Sequence, residues 1–83
     1  MNSTCTCVYD TEREAIKEAT QDAIKAAKGN DLWCFSEVAL WNGNSMIIEA
    51  FPDGKIKKTM SGGWNRGGLV YMSKRVAKVY GVR

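Results

Sequence analysis

The stretch that decides the fold is residues 32–60, which read LWCFSEVALWNGNSMIIEAFPDGKIKKTM. Two runs in it, Leu32–Trp41 and Met46–Phe51, are rich in aromatic and branched residues, which favour β-strands. Between them stands Asn42-Gly43, a dipeptide typical of two-residue hairpin turns. The sequence therefore predicts an antiparallel hairpin here.

A second turn follows at once. Pro52-Asp53-Gly54 predicts a type I turn whose glycine takes a positive φ, with the chain returning as a third strand, Lys55–Met60. The three strands form an antiparallel meander. Pairing Trp41 with Asn44 and Phe51 with Lys55 predicts one core face, with these members: Trp33, Phe35, Ala39, Trp41, Met46, Ile48, Ala50, Ile56 and Met60, and the polar Glu37 and Lys58.

The opposite face of this meander is predicted to be half apolar. Its apolar members include Leu40, Ile47 and Phe51, which we take as a candidate apolar interface. Because a contiguous exposed apolar area on a small protein usually has a use, this face either binds a partner or is covered by the terminal segment. The sequence leaves both alternatives open.

A helix is predicted over Glu12–Lys28. Thr11 and Glu14 fit a capping box, and Gly29 is placed to end the helix in a left-handed conformation. The apolar residues recur at three- and four-residue spacing and form one stripe, as expected of a helix that packs on a sheet. The stripe consists of Ala15, Ile16, Ala19, Ala23, Ile24 and Ala27.

A second helix is predicted near the C-terminus, because Leu69, Met72, Val76 and Val79 share one helical face. The alternative is a strand at Leu69–Met72. Together these elements predict an α+β fold with the order α-β-β-β-α. It fills residues 1–83 as a single domain, in which residues 1–10 are flexible or pair with a sheet edge.

Composition excludes several functional classes. The chain has no histidine, which is the usual general base near neutral pH and the commonest metal ligand. Its three cysteines, Cys5, Cys7 and Cys34, are too few for a closed four-thiolate zinc site and odd in number for a disulfide scaffold. We therefore expect no enzymatic activity, no cofactor, no bound metal, no membrane span and a cytoplasmic location.

Charge is strongly segregated along the chain. Residues 1–53 hold nine acids and four bases, a net of −5, whereas residues 54–83 hold eight bases and no acid, a net of +8. Lysine and arginine bind phosphates, and aromatic rings can stack on bases. The sequence therefore predicts a basic site for nucleic acid or an acidic protein surface, made of these residues: Lys57, Trp64, Arg66, Lys74, Arg75 and Lys78.

Two resemblances extend this hypothesis. The predicted element order resembles that of double-stranded-RNA-binding domains, and Ile48–Gly63 is similar to their second hairpin, which implies contact with nucleic acid. Small size and the lack of catalytic residues resemble phage-encoded inhibitors, anti-CRISPR proteins among them, which implies a chain that occludes a host protein in the host cytoplasm. The favoured hypothesis is a non-catalytic protein whose basic C-terminal segment engages nucleic acid or a nucleic-acid-handling complex, as a monomer or small homo-oligomer; the alternative is the phage-type inhibitor.

Overall fold

A computed structural model describes residues 6–63 and 69–81 and shows five strands and two helices in that part of the chain. In chain order the elements are β1 (Thr6–Tyr9), α1 (Glu12–Asn30), β2 (Cys34–Ala39), β3 (Ser45–Ala50), β4 (Ile56–Ser61), β5 (Val70–Ser73) and α2 (Lys74–Val79).

The strands form one mixed sheet in the order β1-β5-β2-β3-β4. β5 runs parallel to both β1 and β2, whereas β2, β3 and β4 form the antiparallel meander. α1 connects β1 to β2, and β5 is inserted between these two strands. The α+β class is confirmed, but the simple order α-β-β-β-α is wrong, because two further strands complete the sheet.

β5 is the element that corrects the predicted C-terminal helix. Val70-Tyr71-Met72 combines β-branched and aromatic residues, and the gap between β1 and β2 offers this segment hydrogen-bond partners on both sides. The helix starts only at Lys74, where the Ser73 hydroxyl accepts a hydrogen bond from the Val76 amide at 3.3 Å. The strand alternative at Leu69–Met72 is therefore the better description.

The start of α1 matches the prediction, but its end does not. The Thr11 hydroxyl accepts a hydrogen bond from the Glu14 amide at 3.1 Å, as the capping box requires. The helix then continues through Gly29 and ends at Asn30, and the next residue, Asp31, caps it in the left-handed conformation at φ 50°. The face of α1 that packs on the sheet is a stripe of four buried alanines: Ala15, Ala19, Ala23 and Ala27.

Both hairpins are closed by the same three-residue turn. In the second, the Gly54 amide donates to the Phe51 carbonyl at 2.9 Å and the Phe51 amide to the Lys55 carbonyl at 3.0 Å, so the predicted pairing is confirmed. In the first, the Gly43 amide donates to the Leu40 carbonyl at 3.2 Å and the Leu40 amide to the Asn44 carbonyl at 2.8 Å. The predicted two-residue turn at Asn42-Gly43 is therefore wrong.

The longer turn shifts the β2–β3 register by one residue, so that Ala39 pairs with Ser45. Side chains alternate along a strand, and this shift moves every β2 residue to the other face. Val38 and Leu40 consequently lie in the core against α1, whereas Trp33, Phe35 and Trp41, predicted as core, are exposed. The predicted core residues of β3 are correct.

The second face of the sheet is only partly covered. α2 packs over the β5 side of the sheet, where its Val76 and Ala77 join Ala39, Val70 and Met72 in a buried cluster. β4 is exposed on both faces along all six of its residues, and Ile56 and Met60, predicted as core, are exposed on its α1 side. The core is therefore concentrated between α1 and the β5-β2-β3 part of the sheet.

A hydrogen bond between α1 and β5 fixes the helix on the sheet. The buried Tyr71 hydroxyl donates to Asp22 Oδ2 at 2.6 Å, and the Tyr71 ring stacks on that of Tyr9 with centroids 6.2 Å apart. Burial, and then the hydrogen bond to Asp22, raise the pKa of Tyr71 well above its usual range. The fold therefore holds Tyr71 in its neutral form.

We predict that Tyr71→Phe lowers the free energy of unfolding by about 1–2 kcal/mol near neutral pH, because a hydrogen bond to a carboxylate is lost. In the unfolded chain a tyrosine ionises near pH 10, so the stability that the protonated Tyr71 contributes is complete below about pH 10 and is lost as the pH rises above it. Urea unfolding at about pH 7 and about pH 11 should show a larger alkaline loss for the unmodified chain than for Tyr71→Phe. Equal losses would contradict the assignment.

Candidate binding surface

The basic residues singled out by the sequence lie at opposite sides of the sheet. Lys57 belongs to the edge strand β4, whereas Lys74, Arg75 and Lys78 belong to α2, which packs over β5. β4 and β5 are separated by three strand spacings, about 14 Å. Since Trp64 and Arg66 lie outside the described residues, the described part of the predicted basic site consists of two separate groups.

Lys74 is paired with an acid. Its Nζ lies 2.8 Å from Asp10 Oδ1, and both side chains are largely exposed. The hydrogen bond and charge of Lys74 lower the pKa of the Asp10 carboxyl, and Asp10 in turn raises the pKa of Lys74. Asp10 follows β1 and belongs to the acidic part of the chain, residues 1–53. Its contact with Lys74 therefore neutralises one charge of the basic part, residues 54–83.

Arg75 is engaged by an aromatic ring. Its guanidinium carbon lies 5.4 Å from the centroid of the Trp41 ring, within the range of a cation–π interaction. The two side chains line an open cleft of about 310 Å³ at the ends of β1 and β5, together with Asp10, Thr11, Glu12 and Ser73. The two acids in this lining oppose the binding of a phosphate there.

A different surface stands out on the sheet face that α1 does not cover, at the end remote from α2. The register places its residues in adjoining rows across β2, β3 and β4: Phe35 lies beside Glu49, and Glu49 beside Lys57. Phe51 pairs with Lys55, and extending the β2–β3 register by one residue puts Trp33 beside Phe51 in the next row. We call this surface the open face, with the following members: Trp33, Phe35, Ile47, Glu49, Phe51, Lys55 and Lys57.

Two stacked rings dominate the open face. The ring centroids of Trp33 and Phe35 are 5.3 Å apart, and the two residues remain 44% and 53% exposed. Trp33 Nε1 donates a hydrogen bond to Glu49 Oε1 at 3.1 Å, which fixes the indole against its neighbour. Side chains of this size can contribute strongly to binding when a partner covers them.

The three residues of the predicted apolar interface divide between core and surface. Ile47 and Phe51 are half-buried and belong to the open face. The placement of Leu40 on that face is wrong, since Leu40 is 6% exposed and packs in the α1 cluster. The shift of the β2 register explains this exchange, because it turns Leu40 inward and Phe35 outward.

Sequence reasoning missed Trp33 and Phe35 as surface residues. The available signal was the likeness of the two turns: in each, an Asx side chain accepts a hydrogen bond from the amide two residues later. The Asn42 side chain accepts from Asn44, and that of Asp53 from Lys55. A three-residue turn at Trp41–Gly43, like that at Pro52–Gly54, would have predicted the observed β2–β3 register and placed Trp33 and Phe35 at the surface.

The described ranges, 6–63 and 69–81, contain no cluster of cysteine and acidic side chains that could hold a metal ion. Cys7 and Cys34 are free thiols that pack in different core clusters, and Cys5 lies outside the described residues. Neither of the two helices that the structure describes is long and apolar enough to cross a membrane.

Comparison of the chain with protein-family models, with curated proteins and with solved structures finds no match.

We predict that Lys74→Gln raises the pKa of Asp10 toward the ordinary 3.8 of an aspartate, because the lysine is the group that lowers it. Titration of the Asp10 carboxyl by NMR measures this shift. Lys78→Gln is the matched control, which removes a positive charge from the same helix and should leave the Asp10 midpoint nearly unchanged. Equal shifts in the two variants would show that Lys74 does not act through the observed contact.

Proposed function

We propose that the protein is a non-catalytic binding module that docks a protein partner with an acidic surface through the open face. The observation that carries this proposal is the exposed Trp33–Phe35 pair beside Lys55 and Lys57. A chain of this kind that occludes a host protein in the cytoplasm would act as a phage-type inhibitor, which is one form of the proposal.

The two rings are suited to anchor a partner. Interface energy is concentrated in a few large, well-packed side chains, and tryptophan is foremost among them. Trp33 is already held by Phe35 and Glu49 in the absence of a partner, so little conformational freedom remains to be lost on binding. Burial of the exposed ring surface contributes about 25 cal/mol for each Å² of apolar area.

The charges beside the rings favour an acidic partner. Lys55 and Lys57 lie on the open face of β4, and among the described residues the only ion pair of either is the exposed contact of Lys55 with Asp53 at 3.9 Å. Exposed cations of this kind steer an acidic surface toward the site and raise its rate of association.

Single-stranded nucleic acid is the second candidate, and the position of Lys55 and Lys57 beside the two rings favours it. Bases could stack on Trp33 and Phe35 while phosphates contact Lys55 and Lys57. The carboxylate of Glu49, however, stands between the rings and the lysines and repels any negative group at that point. A protein partner can place an uncharged or basic side chain opposite Glu49, whereas a nucleic-acid strand carries a phosphate at every nucleotide. We therefore favour a protein partner. Engagement of nucleic acid by the basic C-terminal segment stays a prediction.

We predict that Phe35→Ala weakens capture of a protein partner tenfold or more in a pull-down from a lysate of the cell in which the chain is made. The reason is that the variant lacks one of the two anchor rings. Capture by the unmodified chain should persist after nuclease treatment, since the partner is a protein. Trp41→Ala is the matched control, since Trp41 is also an exposed aromatic residue but lies outside the open face.

Two results would count against this function. Equal capture by Phe35→Ala and by the unmodified chain would remove the open face from the interaction. Tight binding of a labelled single strand at low salt, weakening steeply as salt rises and lost in Lys57→Gln, would favour the nucleic-acid candidate instead.

A further inference from the structure

Strand β4 pairs with β3 on one side, and no other strand of the described residues pairs with its outer edge. It is the last strand in the sheet order, and all six of its residues are exposed. A strand with a free edge can pair with an extended segment of another chain, through main-chain hydrogen bonds. We propose that β4 accepts an acidic extended segment of the partner as a sixth, antiparallel strand; this inference rests on the proposed function and specifies the partner.

The alternation of hydrogen bonds between β3 and β4 identifies which backbone amides and carbonyls of β4 are available to an added strand. The Phe51 amide donates to the Lys55 carbonyl, and antiparallel bonding alternates along the strand. The amides and carbonyls of Lys57 and Thr59 therefore face β3, whereas those of Ile56, Lys58 and Met60 point outward from the sheet. Three residues of β4 thus offer both a donor and an acceptor to an added strand.

The charge of β4 selects the occupant. Lys57 and Lys58 project from opposite faces of the strand, and neither forms an ion pair with another described residue. Lys55, just before the strand, adds a third positive charge to the open face. In a second copy of this chain, the antiparallel register that overlaps Ile56–Met60 completely would place two Lys58 side chains directly opposite each other, which is destabilising. An acidic segment turns the same lysines into favourable cross-strand partners, so they both oppose self-pairing and select the partner.

The side chains of β4 specify the pattern of that segment. On the α1 side, Ile56 and Met60 are 41% and 55% exposed and would be covered by apolar residues, with an acid opposite Lys58. On the other side of the strand, acids would lie opposite Lys55 and Lys57, and a threonine opposite Thr59. Read antiparallel to β4, this pattern gives Val-Thr-Glu-Glu-Val-Glu.

An added strand would also enlarge the open face. Its side chains on that side would lie beside the lysines, in the rows that already run from Phe35 through Glu49 to Lys57. A partner that pairs with β4 is thereby positioned to cover Trp33 and Phe35 with the rest of its surface.

The experiment titrates the full-length chain with the capped hexapeptide Val-Thr-Glu-Glu-Val-Glu and follows amide hydrogen exchange by NMR. At a peptide concentration equal to its Kd, the outward amides of Ile56, Lys58 and Met60 should exchange about twofold more slowly, with stronger protection at higher concentration. The Thr59 amide, which already faces β3, should change less. The charge-reversed peptide Val-Thr-Lys-Lys-Val-Lys should give no protection.

Lys58→Pro tests the edge itself. Proline removes the outward-pointing amide of residue 58. No hydrogen bond to β3 is lost, and edge strands tolerate proline at such positions. The matched control, Lys58→Gln, also loses the charge but keeps the amide. We expect that the acidic peptide does not protect the outward amides of Lys58→Pro. In Lys58→Gln the peptide should still protect them, several-fold less than in the unmodified chain.

The inference is overturned if the acidic peptide gives no protection of the outward amides, or if Lys58→Pro and Lys58→Gln bind it alike. The two proposals fail separately in the partner pull-down. Loss of capture in Phe35→Ala with full capture in Lys58→Pro would retain the open face and exclude strand addition. The reverse pattern would retain strand addition and exclude the open face as the anchor.

Discussion

The turn at Trp41–Gly43 determines which side chains of β2 face α1 and which face outward. Its single left-handed residue is Gly43, at φ 89°, and the hydrogen bond from the Leu40 amide to the Asn44 carbonyl fixes the pairing of the two strands. With this register Val38 and Leu40 fill the space under α1, and Phe35 becomes a surface residue beside Trp33. The core and the candidate binding surface are thus two consequences of one turn.

The shape of the core follows from the alanine stripe of α1. Alanine side chains allow the helix to lie close to the sheet, and the largest buried side chains of this cluster, Ile48 and Tyr71, come from the strands. The helix is centred over the β5-β2-β3 part of the sheet and leaves β4 uncovered on both faces. The exposed strand and the open face are therefore produced by where α1 and α2 lie as well as by the residues at the surface.

The parts of the fold that could be predicted are those whose signals are local. The helix cap at Thr11 and the turn at Pro52–Gly54 each depend on a few neighbouring residues, and both are found as expected. Asn42-Gly43 misled because a two-residue turn of the favoured type needs a positive φ at both positions, and here only the glycine has one. β5 could not be assigned from the sequence, because Val70 and Tyr71 favour a strand, whereas Leu69 and Met72 continue the helical spacing of Val76 and Val79. Its partners, β1 and β2, are distant in sequence.

The candidate site was predictable in its charges but not in its geometry. The lysines of β4 are visible in the sequence, yet only the sheet order shows that they lie apart from those of α2. In addition, Lys74 forms an ion pair with Asp10, and the Arg75 guanidinium lies over the Trp41 ring. The surface that remains combines aromatic rings with lysines, and its rings depend entirely on the β2–β3 register.

The most direct test of this account is the pattern of contacts between Hα protons of β2 and β3 in a NOESY spectrum. In antiparallel strands these contacts are strongest between residues of a non-hydrogen-bonded pair. The observed register predicts strong contacts between Phe35 and Glu49 and between Glu37 and Ile47. Strong contacts between Ser36 and Glu49 and between Val38 and Ile47 would show the alternative register, return Phe35 to the core and contradict the proposed surface.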